Sequence, residues 1–461
     1  MNCLTDKFQT EHLQLIKQLA TGCAAHGGRA CLVGGGVRSV LLDEEVVDYD
    51  VEVFNLEAPE LESVLSELVH FSRVGKSFGI YKLAGWPVDV GLPRRERKKG
   101  DGHRGFEVDI DPAMSIEEAS RRRDFTVNAI YYDILEDRIV DPLGGVNDLE
   151  NKLLRHCSNR FSEDPLRVLR AMQMASRLPA TVDPATVELC RDLGPENLSR
   201  ERFFGEWEKL LLLGKLPSRG LNFLKDSGWI RYFPSLEAMV DCPQDPRWHP
   251  EGDVWTHTLH CMDAAVQYRS GDRDDDLVLG LAVLCHDMGK PPTTEIVDEG
   301  IRSHGHESAG LRPATAFMKQ LNVPTRIREK VLPLVKCHMR PAMLYADNCS
   351  AAAIRRLSRD AGRLDLLLKV FRSDAAGRPP YPDNSAPAAE WLLEKAQRMK
   401  VEKKAPEAIL KGRHLLEKGW DSSPAMGRML RKAYEAQIEG VFEDLEGALA
   451  WVSDQESGTS S

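Results

Sequence analysis

Three consecutive glycines, Gly34 to Gly36, stand between the apolar run RACLV and the segment VRSVLL, and twelve residues past Gly36 the chain reads Asp48-Tyr49-Asp50. A strand that empties into a glycine turn and then a helix marks an α/β opening. It leaves backbone amides without Cβ cover where phosphate oxygens can approach. Side chains two apart on a strand share a face, so Asp48 and Asp50 project together while Val47, Tyr49, Val51 and Val53 face the other way. Neighbouring carboxylates repel unless a cation lies between them. Asp89, on the second strand of the hairpin GIYKLAGWPVDVGL with its turn at Gly85 and Pro87, supplies a third, and such an oxygen set suits Mg2+. Alone, Asp-Tyr-Asp reads more often as a solvated strand face, and a glycine triplet as a mere turn. Their succession carries the signal.

The 461 residues, 42% hydrophobic and 29% charged, exceed one ordinary core and imply two to four domains. Disordered and collagenous classes are excluded. The longest near-apolar stretch, Leu277 to Cys285, is about half the roughly 18 residues a membrane helix needs, and the N-terminal MNCLTDKFQTEH lacks an apolar signal core, so the expected address is cytoplasmic. Ten cysteines without a CxxC pair indicate reduced core thiols, with neither a zinc knuckle nor a disulfide framework. The net charge of -10 argues against general coating of nucleic acid, yet residues 151–230 carry thirteen Lys/Arg against ten Asp/Glu, leaving room for a local basic face.

Periodicity predicts a helix over residues 10–26, strands at RACLV and VVDYDVEVF, and the hairpin already described. PRRERKKGDGHRG is too charged for a core and is expected to be a mobile basic loop. From Leu149 to Tyr232 strand signals vanish, and segments broken at Pro179, Gly194, Pro217 and Gly228 predict short packed helices. Beyond DCPQDPRWHPEGD, seven of the thirteen histidines fall between His249 and His338, marking a second site. The last boundary is placed near GRPPYPDNSAP, followed by the amphipathic run AAEWLLEKAQRMKVEKK and a tail fraying at SDQESGTSS.

The succession LVGGGVR, DYD, RRDFTVNA (Arg122 to Ala129), DPLGGVNDL (Asp141 to Leu149), EDPLR (Glu163 to Arg167) and SRERFFGEWEKLL (Ser199 to Leu211) resembles the class II tRNA nucleotidyltransferases, the CCA-adding enzymes, and their relatives the bacterial poly(A) polymerases. Six motifs stand in the family's order across about 180 residues. The resemblance implies a nucleotidyltransferase head with a polymerase β-like mixed sheet, followed by helical neck, body and tail regions. It implies that Asp48 and Asp50 hold two Mg2+ ions and that Asp89 helps to deprotonate an RNA 3′-hydroxyl. Gly34, Gly35 and Arg38 would cradle the triphosphate. Arg123, Asp124 and Asn128 would meet triphosphate and ribose, with Arg170 among the nucleotide contacts. Phosphoryl transfer asks for positioning and charge neutralisation more than covalent help, which agrees with such a set. The family usually has Asp after VGGxVR, where this chain has Ser39, so an ion pair near the phosphate turn is expected to be missing.

In EDPLR, Pro165 suits a first helical turn, and Asp164 and Arg167, three apart, share a face as acceptor beside donor. Cytosine and adenine both offer an amino donor next to a ring-nitrogen acceptor, whereas guanine and uracil offer a carbonyl next to an N–H. Carboxylate plus guanidinium therefore fits C and A, the protein-template role that the family assigns to this motif; an isolated EDxxR would read as a helix-capping ion pair. The full-length segment from Pro93 to Ile116, shortened in CC-adding relatives, favours addition of C, C and A.

Further on, His257 in WTHTLH, His286-Asp287 in LCHDMGK and Asp374 in RSDAAGR match the H…HD…D pattern of HD-domain metal phosphohydrolases, as in bacterial CCA-adding enzymes that carry an HD domain. Imidazoles with carboxylates suit Mg2+ or a transition metal. His304, His306 and His338 are candidates to widen the site to two metals, while His249 and His260 read as ordinary satisfied histidines. By resemblance this site removes 2′, 3′ or cyclic 2′,3′ phosphates from RNA ends.

The expected organisation is a head over 1–148, a neck and body over 149–240, an HD domain over 241–385 and a helical tail over 386–461. The leading function is CCA addition to tRNA from CTP and ATP, with no DNA or membrane partner. The alternatives are a poly(A) polymerase, a CC- or A-adding specialist, an HD phosphohydrolase whose head only grips RNA, and a non-catalytic RNA scaffold.

Overall fold

A computed structural model describes residues 8–74, 79–98, 106–196, 198–381 and 385–457. The chain divides into two compact units, residues 1–232 and 233–461.

The first unit is built on seven strands: β1 (Arg29–Val33), β2 (Tyr49–Phe54), β3 (Phe71–Val74), β4 (Ile80–Leu83), β5 (Val88–Gly91) and, after a separate ribbon of β6 (Arg94–Lys98) and β7 (Phe106–Ile110), β8 (Tyr131–Asp133) and β9 (Arg138–Val140). Their order in the sheet is β3-β4-β5-β2-β1-β8-β9. All pairings are antiparallel except β2 with β5. The chain leaves β2 through the helix Ala58–Leu68, reaches the sheet edge at β3, and meanders back until β5 lies parallel beside β2. Apolar residues on one face, among them Leu32, Tyr49, Val51, Val53, Val88 and Val90, join Ile16 and Leu19 of the helix Thr10–Ala25 and Leu61 and Leu65 of the helix Ala58–Leu68 in one core. Each such side chain stabilises by about 1.5–3 kcal/mol on full burial. Because the strand period is two, this core also settles which face Asp50 takes, and a one-residue slip would drive the carboxylate into it. The expected strand face holds from Tyr49 onward. Val47 departs from it: it precedes the strand and is 73% exposed, while Val46 is buried in its place.

The basic segment expected to be a loop forms the antiparallel ribbon β6/β7 on both sides of residues 99–105, which lie outside the described residues. A two-stranded ribbon satisfies its backbone in pairs without an apolar face, so no core signal announces it. The region expected to lack strands also holds a two-residue parallel pair, Leu153–Leu154 with Thr181–Val182. The helix Leu166–Arg177 packs against the helices Arg200–Leu213 and Pro217–Asp226 through residues such as Leu169, Trp207, Leu210 and Leu221.

The second unit is almost wholly helical. Its central helix, Arg273–Cys285, is buried from Asp276 to Cys285, which accounts for the long apolar run. It packs against the helices Val254–Ala265, Thr325–Cys337 and Leu364–Ala376. An unforeseen hairpin, Glu295–Val297 with Gly300–Arg302, follows it. Towards the C-terminus, Leu415, Ala433, Phe442, Ala448 and Val452 make a smaller core, and the last helix runs to Ser457 where fraying was expected. Among the described residues, no helix is long and apolar enough to cross a membrane.

Candidate functional site

In unit 1, the register places Asp50 of β2 directly beside Asp89 of β5. Parallel partners project to the same side, so both carboxylates leave the sheet opposite its apolar core. Asp48, just ahead of the strand, is exposed and adds its charge to theirs. Packing in this recess raises the Asp50 carboxyl above its usual range; Arg123 opposes the shift, and Asp89 and Asp48 reinforce it. Crowded carboxylates of this kind attract a cation. Lys82, the partner of Asp89 on β4, lies 2.9 Å from it.

The glycine turn closes over the same place. Gly34 has φ +79°, a region that disfavours residues with a Cβ, and an added Cβ would meet Asp50 Oδ2 at 3.1 Å. A Cβ on Gly36 would lie 3.1 Å from the Asp48 carbonyl. Gly34 and Gly36 are therefore required by close approach to the acidic segment, whereas Gly35, with only Arg38 at 3.9 Å from an added Cβ, opens the helix Gly35–Leu41 beside it.

A cavity of about 500 Å³ extends from Asp50 and Asp89 past Arg123 to Asp164 and Arg167. Asp164 precedes the helix Leu166–Arg177: its Oδ1 accepts from Leu166 N at 3.0 Å and its Oδ2 from Arg202 at 2.8 Å. Arg167 donates to the carbonyls of Arg160 (2.7 Å) and Arg122 (2.8 Å). Both members of the proposed base reader thus line the cavity, each held by a second group. Arg123 is anchored by Glu52 at 3.1 Å and lies over the Tyr131 ring.

Arg38, Asp124, Asn128 and Arg170 form a buried or half-buried network linked to Arg123, which donates to Asn128 O at 3.5 Å. Asp124 accepts from Arg170 (2.6 Å), the Asn128 amide (2.9 Å) and Phe125 N (2.8 Å). Burial pushes its carboxyl up, but these partners outweigh burial and bring it down to about 2. Arg38 donates to the Asn128 side chain, and burial lowers it to about 10. Ser39 lies in the same short helix, half-buried. Glu52, Lys82 and Arg202 were missed as site residues. Period two already placed Glu52 on the face of Asp50, whereas nothing local to Arg202 ties it to Asp164, 38 residues away.

Unit 2 gathers His257 and Asp374 from two helices and His286 and Asp287 from the turn after a third. His257 Nε2 lies 3.1 Å from Asp374 Oδ1 and 3.7 Å from Asp287 Oδ2. His306 and His338 join them: with Asp287 they bring three ligand atoms within 4.8 Å of one another. His304 and His260 are exposed outside the cluster. His249, read from sequence as an ordinary histidine, instead belongs to the periphery of the site: it shares Glu251 Oε1 (2.8 Å) with His257 (2.7 Å). Glu251 and Cys261 were also missed. The spacing of His257 and Cys261 at i and i+4 was the available signal for the latter, while Glu251 sits in a turn with none.

Four imidazoles have Nδ1 against an oxygen: His257 on Glu251, His286 on Val283 O (2.7 Å), His306 on Ser303 O (2.9 Å) and His338 on Val335 O (2.7 Å). A carbonyl can only accept, so the last three rings donate from Nδ1 and turn Nε2 inward. His306 Nε2 and His338 Nε2 then face each other at 3.2 Å, and the buried Nε2 of His286 has no hydrogen-bond partner. The site calls for positive charge at its centre. Burial opposes ionisation of the acids, yet the imidazoles hold Asp287 and Asp374 well below the carboxylate range, with Lys290 adding to the effect on Asp287. Conversely, burial lowers His286 while Asp287 raises it, for a net value of about 10. Burial and the charge of His286 lower His338 to about 4. Lys290 and Arg378 line a cavity of about 330 Å³ that opens on this cluster.

These two sites coincide with two family matches: residues 30–155 with the Poly A polymerase head domain and residues 254–375 with the HD domain. The multifunctional CCA protein of Stenotrophomonas maltophilia is 35% identical over 378 residues, 78% of this chain and 89% of that protein. That of Xylella fastidiosa is 32% identical over 376 residues, 79% of this chain and 88% of its own length. The fold is that of the Bacillus stearothermophilus CCA-adding enzyme solved with CTP (TM-score 0.67, 23% identity, 97% of each chain covered). It is also that of the Thermotoga maritima CCA-adding enzyme complexed with tRNA (TM-score 0.60, 18% identity, 98% of this chain and 97% of that one). The architecture is accordingly a mixed-sheet nucleotidyltransferase head followed by a helical body with an HD domain. The chain belongs to the family of multifunctional CCA proteins.

Proposed function

We propose that this chain adds C, C and A to the 3′ end of tRNA from CTP and ATP, in the cytoplasm, and that its HD region removes phosphates from RNA ends. The observation that carries the first activity is the parallel register of Asp50 with Asp89 under the Gly34 turn. Asp48 and Asp50 are assigned as ligands of Mg2+, which when bound neutralises the attacking and leaving oxygens of nucleotidyl transfer. The other roles fall to the chain itself. Asp89 accepts the proton of the RNA 3′-hydroxyl. The amides of Gly34 and Gly35 steady the triphosphate, with Arg123 as the cation nearest to it. Asp124, Asn128, Arg38 and Arg170 keep that arginine and the ribose side of the site in place. Asp164 and Arg167 present acceptor and donor to the Watson–Crick edge, and Arg202 holds the carboxylate in register. Two mismatched contacts, at about 1–3 kcal/mol each, would reject G and U tenfold or more.

The HD activity is carried by the inward Nε2 atoms of His257, His286, His306 and His338 around Asp287 and Asp374, a donor set for one or two divalent cations. Lys290 and Arg378 offer positive charge to a phosphate in the adjoining cavity. We read the head as residues 1–148, neck and body as 149–240, HD domain as 241–385 and tail as 386–461.

The test is a tRNA transcript lacking its last three nucleotides, incubated with CTP and ATP together and separately, with the product 3′ ends sequenced. CCA ends are expected. CC ends alone would demote the enzyme to a CC-adding specialist, and long A-tracts with no response to CTP would make it a poly(A) polymerase, the activity named by the head-domain match.

A further inference from the structure

Nothing in the H…HD…D pattern calls for sulfur, yet Cys261 lies inside the HD cluster. It stands one turn after His257 on the helix Val254–Ala265, so both side chains leave the same face. Its Sγ is 3.3 Å from His257 Nε2, and the ligand atoms of His257, Cys261, His286 and Asp374 all lie within 4.8 Å of one another. Two of the five other separations are 3.1 Å from His257 Nε2 and 4.0 Å from His286 Nε2 to Asp374 Oδ1. Metal bonds of about 2.0–2.3 Å to N, O and S at a tetrahedral centre require ligand-to-ligand distances of roughly 3.3–3.8 Å, close to those observed. His286 Nε2, buried and without a hydrogen-bond partner, is turned into the same space. Room for the sulfur depends on Gly377, where a Cβ would come within 2.2 Å of Sγ and whose carbonyl lies 3.1 Å from His257 Nδ1.

We propose that Cys261 is a metal ligand, its thiolate completing with His257, His286 and Asp374 a four-donor set that adjoins the set of Asp287, His306 and His338 through Asp287, whose Oδ2 lies 3.3 Å from His286 Nε2 and 3.7 Å from His257 Nε2. The inference rests on reading the HD cluster as a metal site and specifies the chemistry of one half of it. A thiolate beside two imidazoles and a carboxylate selects Zn2+, Co2+ or Fe2+ over Mg2+. The second set, two imidazoles and a carboxylate without sulfur, has a weaker bias of the same sign. The two halves would then differ in the cation they keep when metals compete.

The experiment uses the full chain stripped with a chelator and reloaded with Co2+. Expected are bound cobalt by elemental analysis, a thiolate-to-cobalt charge-transfer band in the near ultraviolet, and one sulfur at about 2.3 Å by X-ray absorption. Cys261→Ala and Cys261→Ser should lose the band and bind the tighter cobalt at least about tenfold more weakly. Their far-ultraviolet circular dichroism should match the wild type. Cobalt bound without band or sulfur, or a band that survives in either variant, would overturn the role of Cys261 while leaving the HD metal site standing. Wild-type protein that takes up no cobalt would remove the metal-site reading itself, and the thiolate with it. The sulfur distance needs no substitution, so the proposal is testable even if a variant fails to fold.

Discussion

The two carboxylate sites of this chain hold charge in opposite ways. In the head, Asp48 and Asp50 keep solvent access, repel one another and are flanked by Lys82 and Arg123 at the wall of an open cavity. In the HD cluster, Asp287 and His257 are buried, and each acid is enclosed by imidazoles. A site proposed to admit and release a triphosphate and an RNA end cannot be sealed, and acids left in contact with water suit hydrated, oxygen-loving cations. A buried set of nitrogen, oxygen and sulfur donors instead holds its cation through direct bonds, because water is not there to share the charge. The lesson is that the number of carboxylates says less about the metal than the burial around them.

That contrast predicts separable failures. Asp50→Ala should reduce CTP incorporation about a thousandfold or more, since neutralisation of several kcal/mol is lost at the reacting oxygens, while phosphate release from RNA ends is unchanged. Loss of both together would show that the sites do not act independently. His286→Ala should do the converse, lowering phosphohydrolysis about a hundredfold or more with incorporation intact, as read by parallel assays on one preparation. Asp164→Ala and Arg167→Ala leave the cations alone and should chiefly relax selection: misincorporation of U or G relative to C and A is expected to rise about tenfold to a hundredfold in competition assays. Unaltered selectivity in both variants would remove the protein-template role.

The smallest effect concerns the support behind the head site. Asp124 has its carboxyl brought down to about 2 by Arg170, Asn128 and Phe125 N–H against the effect of burial. A depressed acid stabilises fully above its unfolded value of about 3.9 and ceases to do so as pH falls through its folded one. Asp124→Asn should therefore cost about 1–3 kcal/mol of head stability at neutral pH, with the gap to wild type closing between pH about 4 and about 2 in denaturant titrations. A gap that stays constant across that window would mean that the carboxylate charge is not what Arg170 answers.

Legibility in the sequence differed between the sites for a definable reason. In the head, Asp48 and Asp50 are two residues apart and the glycines precede them, so their nearness is legible locally although the strand itself begins only at Tyr49; Asp89 needed the long return through β3 and β4 to arrive beside Asp50. In the HD region, His257, the His286-Asp287 pair and Asp374 stood out as an ordered pattern. Glu251 did not, since a carboxylate in a proline-rich turn has no periodicity to betray its direction. Cys261 was read as a core thiol and is buried and free as expected; its place 3.3 Å from His257 Nε2 is what a string of letters does not show. Val47 and the β6/β7 ribbon departed from expectation where no apolar partner enforces alternation.

Local chemistry by itself determined the glycine turn, the paired acids and the acceptor-donor couple Asp164 and Arg167, because each depends on neighbours within a few residues, while the H…HD…D order was legible as a pattern along the chain. Tertiary structure alone decided that Asp89 falls in register with Asp50, that Arg202 reaches Asp164 across 38 positions, and that Cys261 shares space with three metal-type ligands. Contacts between distant segments are set by how cores pack, and packing is a property of the whole unit that no short window of sequence contains.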